Sequence, residues 1–405
     1  MRLLEYQGKA VFKEAGIMVP AARVVRASEN QALRDEACAA ARELMSAAGI
    51  GRQAEQDPTG SSGGETAWFA PGVMVKAQVT SGGRGKAGLI VRAESPEDAG
   101  QAAVAIVERE PSVRVILLEQ MVDSACELYL SISTDAGSAR HLILASAVGG
   151  VEIETLAEQN PTAIQRVSVD PFMGLQPYQT RGLGYDLGFS GELVKRFAQV
   201  TSSLYQVFRA NDTELAEINP LFVTQDGSLI AGDSKLIIDD NSLNRQPQFE
   251  VTREQYGTDT EYEAALEGIP YVQFDGDISL MCAGAGLTTT VYDLVQFEGG
   301  TVANYLEFGG PNYRKARRAM ELCLKNRSSV ILIVTFGTIA RADVMAEGIV
   351  GAIAELKPDR PIVTCIRGTN EEAATETLAD AGIEPLLDTE EAVRRAVAIA
   401  KGEQV

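Results

Sequence analysis

Histidine is almost missing from this 405-residue chain: His141 is the single one. A mechanism that needs a histidine base or a phosphohistidine must use it or borrow one from another chain. His141 opens an apolar strand between Arg140 and Leu142 and reads as a strand-edge residue. Cysteine is sparse and odd in number: Cys38, Cys126, Cys282, Cys323 and Cys365 are scattered, mostly in apolar runs. That pattern predicts reduced thiols rather than disulfides or a zinc site, and a cytoplasmic (cytosolic or organellar-matrix) address. Basic residues are short, 36 against 56 acidic ones, for a net charge of −20. This argues against nucleic acid and anionic membranes as partners. No apolar run approaches the ~18 residues of a membrane span. The start, Met1-Arg2-Leu3-Leu4-Glu5-Tyr6, lacks a signal-peptide stretch, so a soluble chain, mature at its start, is expected. Nucleophile-elbow serines, Cys–His pairings and internal duplications are also missing.

What is present centres on Val73-Met74-Val75-Lys76-Ala77-Gln78, an apolar strand with a lysine, followed by Thr80-Ser81-Gly82-Gly83-Arg84-Gly85-Lys86-Ala87-Gly88. Glycines let backbone N–H groups approach phosphate oxygens, and Lys76, Arg84 and Lys86 supply charge. It is not a P-loop, which would need glycine at Thr80 and a hydroxyl at Ala87. Read alone, such a loop is more often a mobile solvated turn.

The length and 45% hydrophobic content predict two or three domains. Helical spacing runs from Leu4 to Glu14, a strand follows at Arg23–Val25, and a helix after Ser28 reaches about Ala47. Turn formers over about 49–66 predict a flexible insertion. Alternating or apolar runs at 115–121, 127–133 and 142–147 predict a largely antiparallel sheet. A helix spans about 191–208. A hairpin turning at Asp226-Gly227 brings Glu217 and Asn219 near Asp233 and Lys235. The text turns polar from Gln246, so the first domain is placed at 1–245 and the second at 246–405. In the second, strands near 278–282, 302–307, 330–335, 362–366 and 384–387 alternate with helices, predicting a parallel, Rossmann-like or flavodoxin-like domain. Gly284-Ala285-Gly286-Leu287-Thr288-Thr289 is a degraded dinucleotide fingerprint or a plain tight turn. The carboxylates nearest the ribose-binding position, ~20 residues beyond Gly286, are Glu298 and Glu307, and with the fingerprint degraded a nicotinamide oxidoreductase is disfavoured. Gly309-Gly310 and Gly337 mark two more strand ends suited to a small anion. Asn219 and Asp233 are hard oxygen donors suited to Mg²⁺, or simply a polar hairpin end.

Leu4-Glu5-Tyr6-Gln7-x-Lys9, Gly82-Gly83-Arg84-Gly85-Lys86-Ala87-Gly88, Glu127-Leu128-Tyr129-Leu130, Gly149-Gly150-Val151-Glu152-Ile153-Glu154, Pro177-Tyr178-Gln179, Glu217-Ile218-Asn219-Pro220-Leu221 and Arg245-Gln246-Pro247 occur in this order. With them the chain resembles, over nearly its whole length, the beta subunit of succinate–CoA ligase (succinyl-CoA synthetase). The resemblance implies an ATP-grasp fold followed by a flavodoxin-like CoA-ligase domain. It implies a reversible reaction of ATP or GTP, a carboxylic acid and CoA to acyl-CoA, ADP or GDP, and phosphate. Lys76 and Gly83-Arg84-Gly85 would hold the phosphates. Glu119, Val122 (through its backbone) and Glu127 would meet the nucleoside, and Asn219 and Asp233 would hold Mg²⁺. Glu217 would face a phosphohistidine carried by a partner alpha subunit, which also binds most of CoA.

The departures gather on the acid-binding loops. Ala283-Gly284-Ala285-Gly286-Leu287 replaces Asn-Gly-Ala-Gly-Leu, Glu307-Phe308-Gly309-Gly310-Pro311-Asn312 replaces Asp-Val-Gly-Gly-Gly-Ala, and Phe336-Gly337-Thr338-Ile339-Ala340-Arg341-Ala342 replaces Phe-Gly-Gly-Ile-Val-Arg-Cys. The substrate-binding set is therefore Ala283, Gly284, Gly309, Gly310, Thr338, Ile339 and Ala340. Loss of one charge-assisted hydrogen bond is worth roughly 1.5–3 kcal/mol, enough to change the preferred acid. Succinate is the first expectation; malate, citrate and sulfoacetate are alternatives, as is a non-catalytic nucleotide-binding paralogue. Asn304-Tyr305-x-Glu307 also resembles ATP citrate lyase.

Overall fold

The computed structural model describes residues 1–54, 69–80, 82–309 and 314–403. Two compact units result, Met1–Gln255 and Tyr256–Val405. The boundary expected at 245/246 falls earlier, because Glu254 is tied into the first unit by the Tyr6 hydroxyl and by Arg26, both at 2.8 Å.

The first unit opens with α1 (Glu5–Glu14), β1 (Ala22–Arg26), α2 (Asn30–Ala54), β2 (Phe69–Ala77), β3 (Ile90–Ala93), α3 (Pro96–Arg109) and β4 (Val115–Val122). β1, β4, β2 and β3 form an antiparallel sheet in that order. Leu33, Ala37, Ala41, Ala99, Ala103 and Ile106 of α2 and α3 pack on it. α3 starts where Ser95 accepts the Asp98 N–H at 3.1 Å and Pro96 fits the first turn. α2 runs past its expected end to Ala54. Two helical glycines cost about 1 kcal/mol each, which its alanine-rich sequence tolerates. The rest of the expected insertion lies outside the described residues.

The chain continues through β5 (Ser124–Asp135), β6 (Arg140–Ser146), α4 (Ile153–Gln159), β7 (Ile164–Val169), α5 (Pro177–Asp186), α6 (Gly191–Ala210), β8 (Thr213–Thr224), β9 (Leu229–Ala231) and β10 (Lys235–Ile238). The second sheet has the order β10-β8-β5-β6-β7, with β9 also on β8. α6 buries Val194, Phe197, Thr201, Leu204, Tyr205 and Phe208, a stripe at helical spacing, against that sheet. Each large apolar side chain so buried contributes about 1.5–3 kcal/mol.

The second unit contains α7 (Asp259–Leu266), β11 (Tyr271–Gln273), β12 (Ile278–Cys282), α8 (Ala285–Phe297), β13 (Val302–Leu306), α9 (Ala316–Leu324), β14 (Val330–Gly337), α10 (Ala342–Leu356), β15 (Ile362–Gly368), α11 (Glu371–Asp380) and α12 (Thr389–Ala400). The sheet order is β11-β13-β12-β14-β15, parallel except for β11 at the edge. β14, paired on both sides, is a nearly continuous buried run. The strand expected at 384–387 is reduced to a single bridge between Pro385 and Thr364. Pro385 has no N–H to extend a ladder.

Candidate active site

A cleft of about 1190 Å³ opens in the first unit, lined from β2, β4, β8, β10, the glycine loop and the start of α1. Its floor is built from an unusual helix stripe. α1 buries Glu5, Gly8, Lys9 and Phe12, spaced i, i+3, i+4, i+7, so two charged residues occupy what would ordinarily be apolar positions. Gly8 permits this approach: a Cβ there would lie 2.0 Å from the Ser234 Oγ.

Lys9 and Lys76 share one set of acceptors. Each binds Glu5 Oε1 at 2.8 Å and the Gly232 carbonyl, at 2.9 and 2.8 Å respectively. Each also pairs with Glu119, Lys76 at 2.5 Å. Arg84 donates to Glu5 Oε2 and to Asp233 Oδ2, both at 2.7 Å. Burial would push the Glu5 carboxyl up, but Lys76, Lys9 and Arg84 hold it well below the carboxylate range. Burial would lower the Lys76 pKa, yet Glu119, Glu5 and Asp233 carry it above the ordinary lysine value. Arg84 is raised in the same way: burial works against its charge, and Glu5 and Asp233 prevail. Both cations therefore stay charged across physiological pH.

The remaining first-unit candidates meet on the same walls. Gly83 has φ +75°, which a glycine adopts freely, and it lines the cleft with Gly85 and Val122. Glu127 lies against Gly150, where a Cβ would come within 2.2 Å of its carboxylate. Asn219 accepts the Gly150 N–H at 2.8 Å and donates to the Val151 carbonyl at 2.9 Å. Lys235 stands opposite Glu217 across the β8–β10 pair, within the nearness expected of the hairpin. The Tyr129 hydroxyl donates to Glu217 at 3.0 Å. Burial raises the Glu217 pKa, while Lys235 and the Tyr129 hydrogen bond pull it back. Glu119 differs from expectation in its surroundings: it is 2% exposed, and both carboxylate oxygens are taken by lysines.

Along the lining, seven carboxylates (Glu5, Glu119, Glu127, Glu152, Glu154, Glu217 and Asp233) accompany five cations (Arg2, Lys76, Arg84, Lys86 and Lys235). A polyanion enters such a cleft favourably only with its own counter-cation. Among the described residues, no three His, Cys, Asp or Glu side chains form a metal cage. Asn219 and Asp233 offer hard oxygen donors alone, which fits Mg²⁺ held largely by phosphates and water.

In the second unit the expected acid loops follow adjacent strands. Ala283 and Gly284 follow β12, and Gly284, at φ +90°, caps α8. Gly309, past β13, packs so tightly that a Cβ would lie 2.8 Å from the Gly284 nitrogen. Thr338, Ile339 and Ala340 follow β14, with the Thr338 carbonyl accepting the Thr369 hydroxyl at 3.0 Å. Gly310, Pro311 and Asn312 lie outside the described residues. His141 sits on β6 with its Nδ1 2.9 Å from the Tyr205 hydroxyl and its ring edge-on to Phe208, in keeping with a structural strand residue. All five cysteines are free, three of them buried, although Cys126 is exposed.

Residues 41–223 match the ATP-grasp domain family and residues 281–399 the CoA-ligase family. Over 404 residues the chain is 52% identical to an ADP-forming sulfoacetate–CoA ligase subunit, SqwK, of an Acholeplasma species, covering 100% of this chain and 93% of the relative. The chain belongs to the family of ADP-forming acid–CoA ligase subunits.

Within that family it is 51% identical over 402 residues to the sulfoacetate–CoA ligase subunit SauC of Bilophila wadsworthia, covering 99% of this chain and 100% of the relative. It is 36% identical over 406 residues to the ADP-forming succinate–CoA ligase subunit beta of Ignicoccus hospitalis, with 99% and 100% covered. The fold is also that of ATP citrate lyase from Methanothrix soehngenii, with a TM-score of 0.65 at 18% identity over 99% of both chains. Among the described residues, no helix is long and apolar enough to cross a membrane. Sequence reasoning assigned no site role to Glu5, Lys9, Arg2 or the Gly232 carbonyl. The available signal for Glu5 and Lys9 was an i, i+4 charge pair lying on the helix face that Phe12 marks as buried.

Proposed function

We propose that this chain is the nucleotide-binding subunit of an ADP-forming acid–CoA ligase whose acid is sulfoacetate. The similarity of 52% and 51% over the full length to subunits named for sulfoacetate, against 36% for one named for succinate, carries the choice of acid. The departures at Ala283 and Thr338 support it. A sulfonate is tetrahedral, with three acceptor oxygens where a carboxylate has two. Alanine in place of asparagine makes room, and the exposed Thr338 adds a hydroxyl donor where the family has glycine.

In this reading Lys76, Arg84 and the Gly83 and Gly85 backbone bind the phosphates of ATP, with Val122 and Glu127 at the nucleoside. Glu119 acts by holding Lys76. Asn219 and Asp233 hold Mg²⁺, which when bound neutralises phosphate charge. The γ-phosphoryl group passes to a histidine of an alpha subunit, whose imidazole Glu217 receives by hydrogen bond. A carboxylate oxygen of the acid then attacks phosphorus, the N–P bond breaks, and an acyl phosphate forms. The CoA thiolate attacks its carbonyl carbon and phosphate leaves with the C–O electron pair. In the transfer to histidine, Lys76, Arg84 and backbone amides supply positioning and charge neutralisation.

The test is CoA- and Mg·ATP-dependent ADP release by the chain co-expressed with its alpha partner, across sulfoacetate, succinate, malate and citrate. A kcat/KM for sulfoacetate roughly tenfold or more above succinate is expected. A preference for succinate overturns the acid assignment, and no turnover with any acid overturns the catalytic reading.

A further inference from the structure

Glu5 lies outside the groups that would touch nucleotide, yet it binds both of the cations proposed to hold the phosphates. Its Oε1 accepts from Lys76 and Lys9 and its Oε2 from Arg84, each at 2.7–2.8 Å, and its side chain is 1% exposed. The two phosphate cations come from different elements, Lys76 from β2 and Arg84 from the glycine loop. That loop folds on itself through backbone bonds from the Ala87, Gly88 and Leu89 N–H groups to the Gly83, Gly85 and Arg84 carbonyls, but its first three glycines pack against nothing. A Cβ on Gly82, Gly83 or Gly85 would meet nothing within 4 Å, so these residues project into open space. Arg84, by contrast, is 10% exposed in its side chain, anchored by Glu5, by Asp233 and by the Ala77 carbonyl at 3.1 Å. Asp233 is also the proposed metal donor, so Glu5 is the carboxylate able to hold Arg84 when Asp233 turns to a cation.

We infer that Glu5 is the positioning residue of the nucleotide site, one buried carboxylate that sets the spacing of Lys76 and Arg84, and that Lys9 is its charge balance. Without Lys9, Glu5 and Glu119 would share a dry wall with a single lysine. With it, two carboxylates face two lysines and Arg84 faces Asp233. Fold stability alone does not call for such a cluster, because apolar residues of similar volume usually serve a core equally well. The close seat of Gly8 on Ser234, and the Leu3 N–H bond to the Leu236 carbonyl at 3.0 Å, hold the start of α1 in register with the cleft floor. This inference rests on the reading of Lys76 and Arg84 as phosphate ligands.

The test compares Mg·ATP dissociation constants, by calorimetry, for the chain with its alpha partner and for variants Lys76→Met, Arg84→Gln, Glu5→Gln, Glu5→Asp and the pair Glu5→Gln with Lys9→Met. The pair removes one charge of each sign, so the wall stays balanced and folding is kept even where Glu5→Gln alone unfolds. Expected is a roughly tenfold to hundredfold weaker binding in the folded pair, the loss of a charge-assisted hydrogen bond from each phosphate cation. Glu5→Asp, which keeps the charge at shorter reach, should recover part of it. In turnover assays the KM for ATP should rise more than kcat falls. A folded pair with wild-type affinity and KM overturns the inference. If Lys76→Met and Arg84→Gln bind Mg·ATP as the wild type does, it is the nucleotide-site reading that fails.

Discussion

Lys9 offers the most direct test of the buried charge cluster. Lys9→Met keeps the length of the side chain and deletes its charge, breaking pairs with Glu5 and Glu119 and the bond to the Gly232 carbonyl. Lys9 is 6% exposed in its side chain, so water does not reach in to compensate. Removing one partner from a buried pair costs about 3–5 kcal/mol, because the remaining charge is stranded. For a unit the size of Met1–Gln255 this is a fall in Tm of roughly 6–20 °C. The dependence on pH has a definite sign. Burial opposes the Glu5 charge, but Lys76, Lys9 and Arg84 hold its folded pKa well below the ordinary value. A depressed carboxyl contributes stability that is present above its unfolded pKa, about 4.3, and lost as pH falls through the folded value. Deleting Lys9 lets the Glu5 pKa climb, so the gap between wild type and variant should be widest near neutrality and should close on acidification. Circular-dichroism melts at pH 7 and near pH 4 read both quantities. A loss under about 1 kcal/mol at pH 7, or a gap that widens in acid, refutes the argument.

Arg84→Gln should act in opposite directions on two ligands: freeing Asp233 tightens Mn²⁺ binding without nucleotide, while losing a phosphate cation weakens Mg·ATP, both read by calorimetry. Glu217 has a folded pKa raised by burial, and such a group gives stability that is present below its unfolded pKa and lost as pH rises through the folded one. Glu217→Gln should therefore gain in Tm relative to wild type between pH 4 and pH 7, and a relative loss over that range would count against it. In the second unit Gly368 has φ +117°, and a Cβ there would lie 1.9 Å from the Gly337 carbonyl oxygen. Gly368→Ala should destabilise by about 1–3 kcal/mol in a thermal melt and disturb the Thr338 loop with it.

The readability of this chain follows physical rules element by element. The nearness of Glu217 and Lys235 was legible because Asp226-Gly227 marks a short hairpin turn; that the loop holds three residues, 225–227, and so sets them opposite each other, was not. α10 and β14 were legible because a buried parallel unit writes itself as long uniform patterns. β7 and α5 were not, since Gln165-Arg166 breaks the alternation within the short Ile164–Val169 run and α5 carries glycines. Residues 384–387 misled because a short apolar run looks the same whether or not its backbone builds a ladder, and Pro385 has no N–H to extend its single bridge to Thr364. In the site, the residues carried by a motif, Lys76, Arg84, Asn219 and Asp233, came together in one cleft. Glu5 and Lys9 were hidden, because a charge pair four residues apart on a helix ordinarily marks a solvated face. The cleft itself could not be read, since burial of charge is set by tertiary approach.

The same geometry changes what the basic glycine loop means. In sequence Lys76, Arg84 and Lys86 look like free positive charge awaiting phosphate. In the folded chain Lys76 and Arg84 are already neutralised by Glu5, Glu119 and Asp233, and Lys86 pairs with Glu152 at 3.0 Å. The cleft is thus not a standing anion trap. Under the proposed function, these carboxylates would oppose the charge of free ATP, whereas a nucleotide carrying a divalent cation would give Asp233 a replacement for Arg84 and free that guanidinium for phosphate. Selectivity for the metal complex over free nucleotide is therefore expected to arise from the carboxylates rather than the cations. Asp233→Asn should narrow the difference between Mg·ATP and free ATP affinity, chiefly by strengthening the binding of free ATP. Calorimetric titrations with and without Mg²⁺ measure it, and an unchanged ratio would place the origin of selectivity elsewhere.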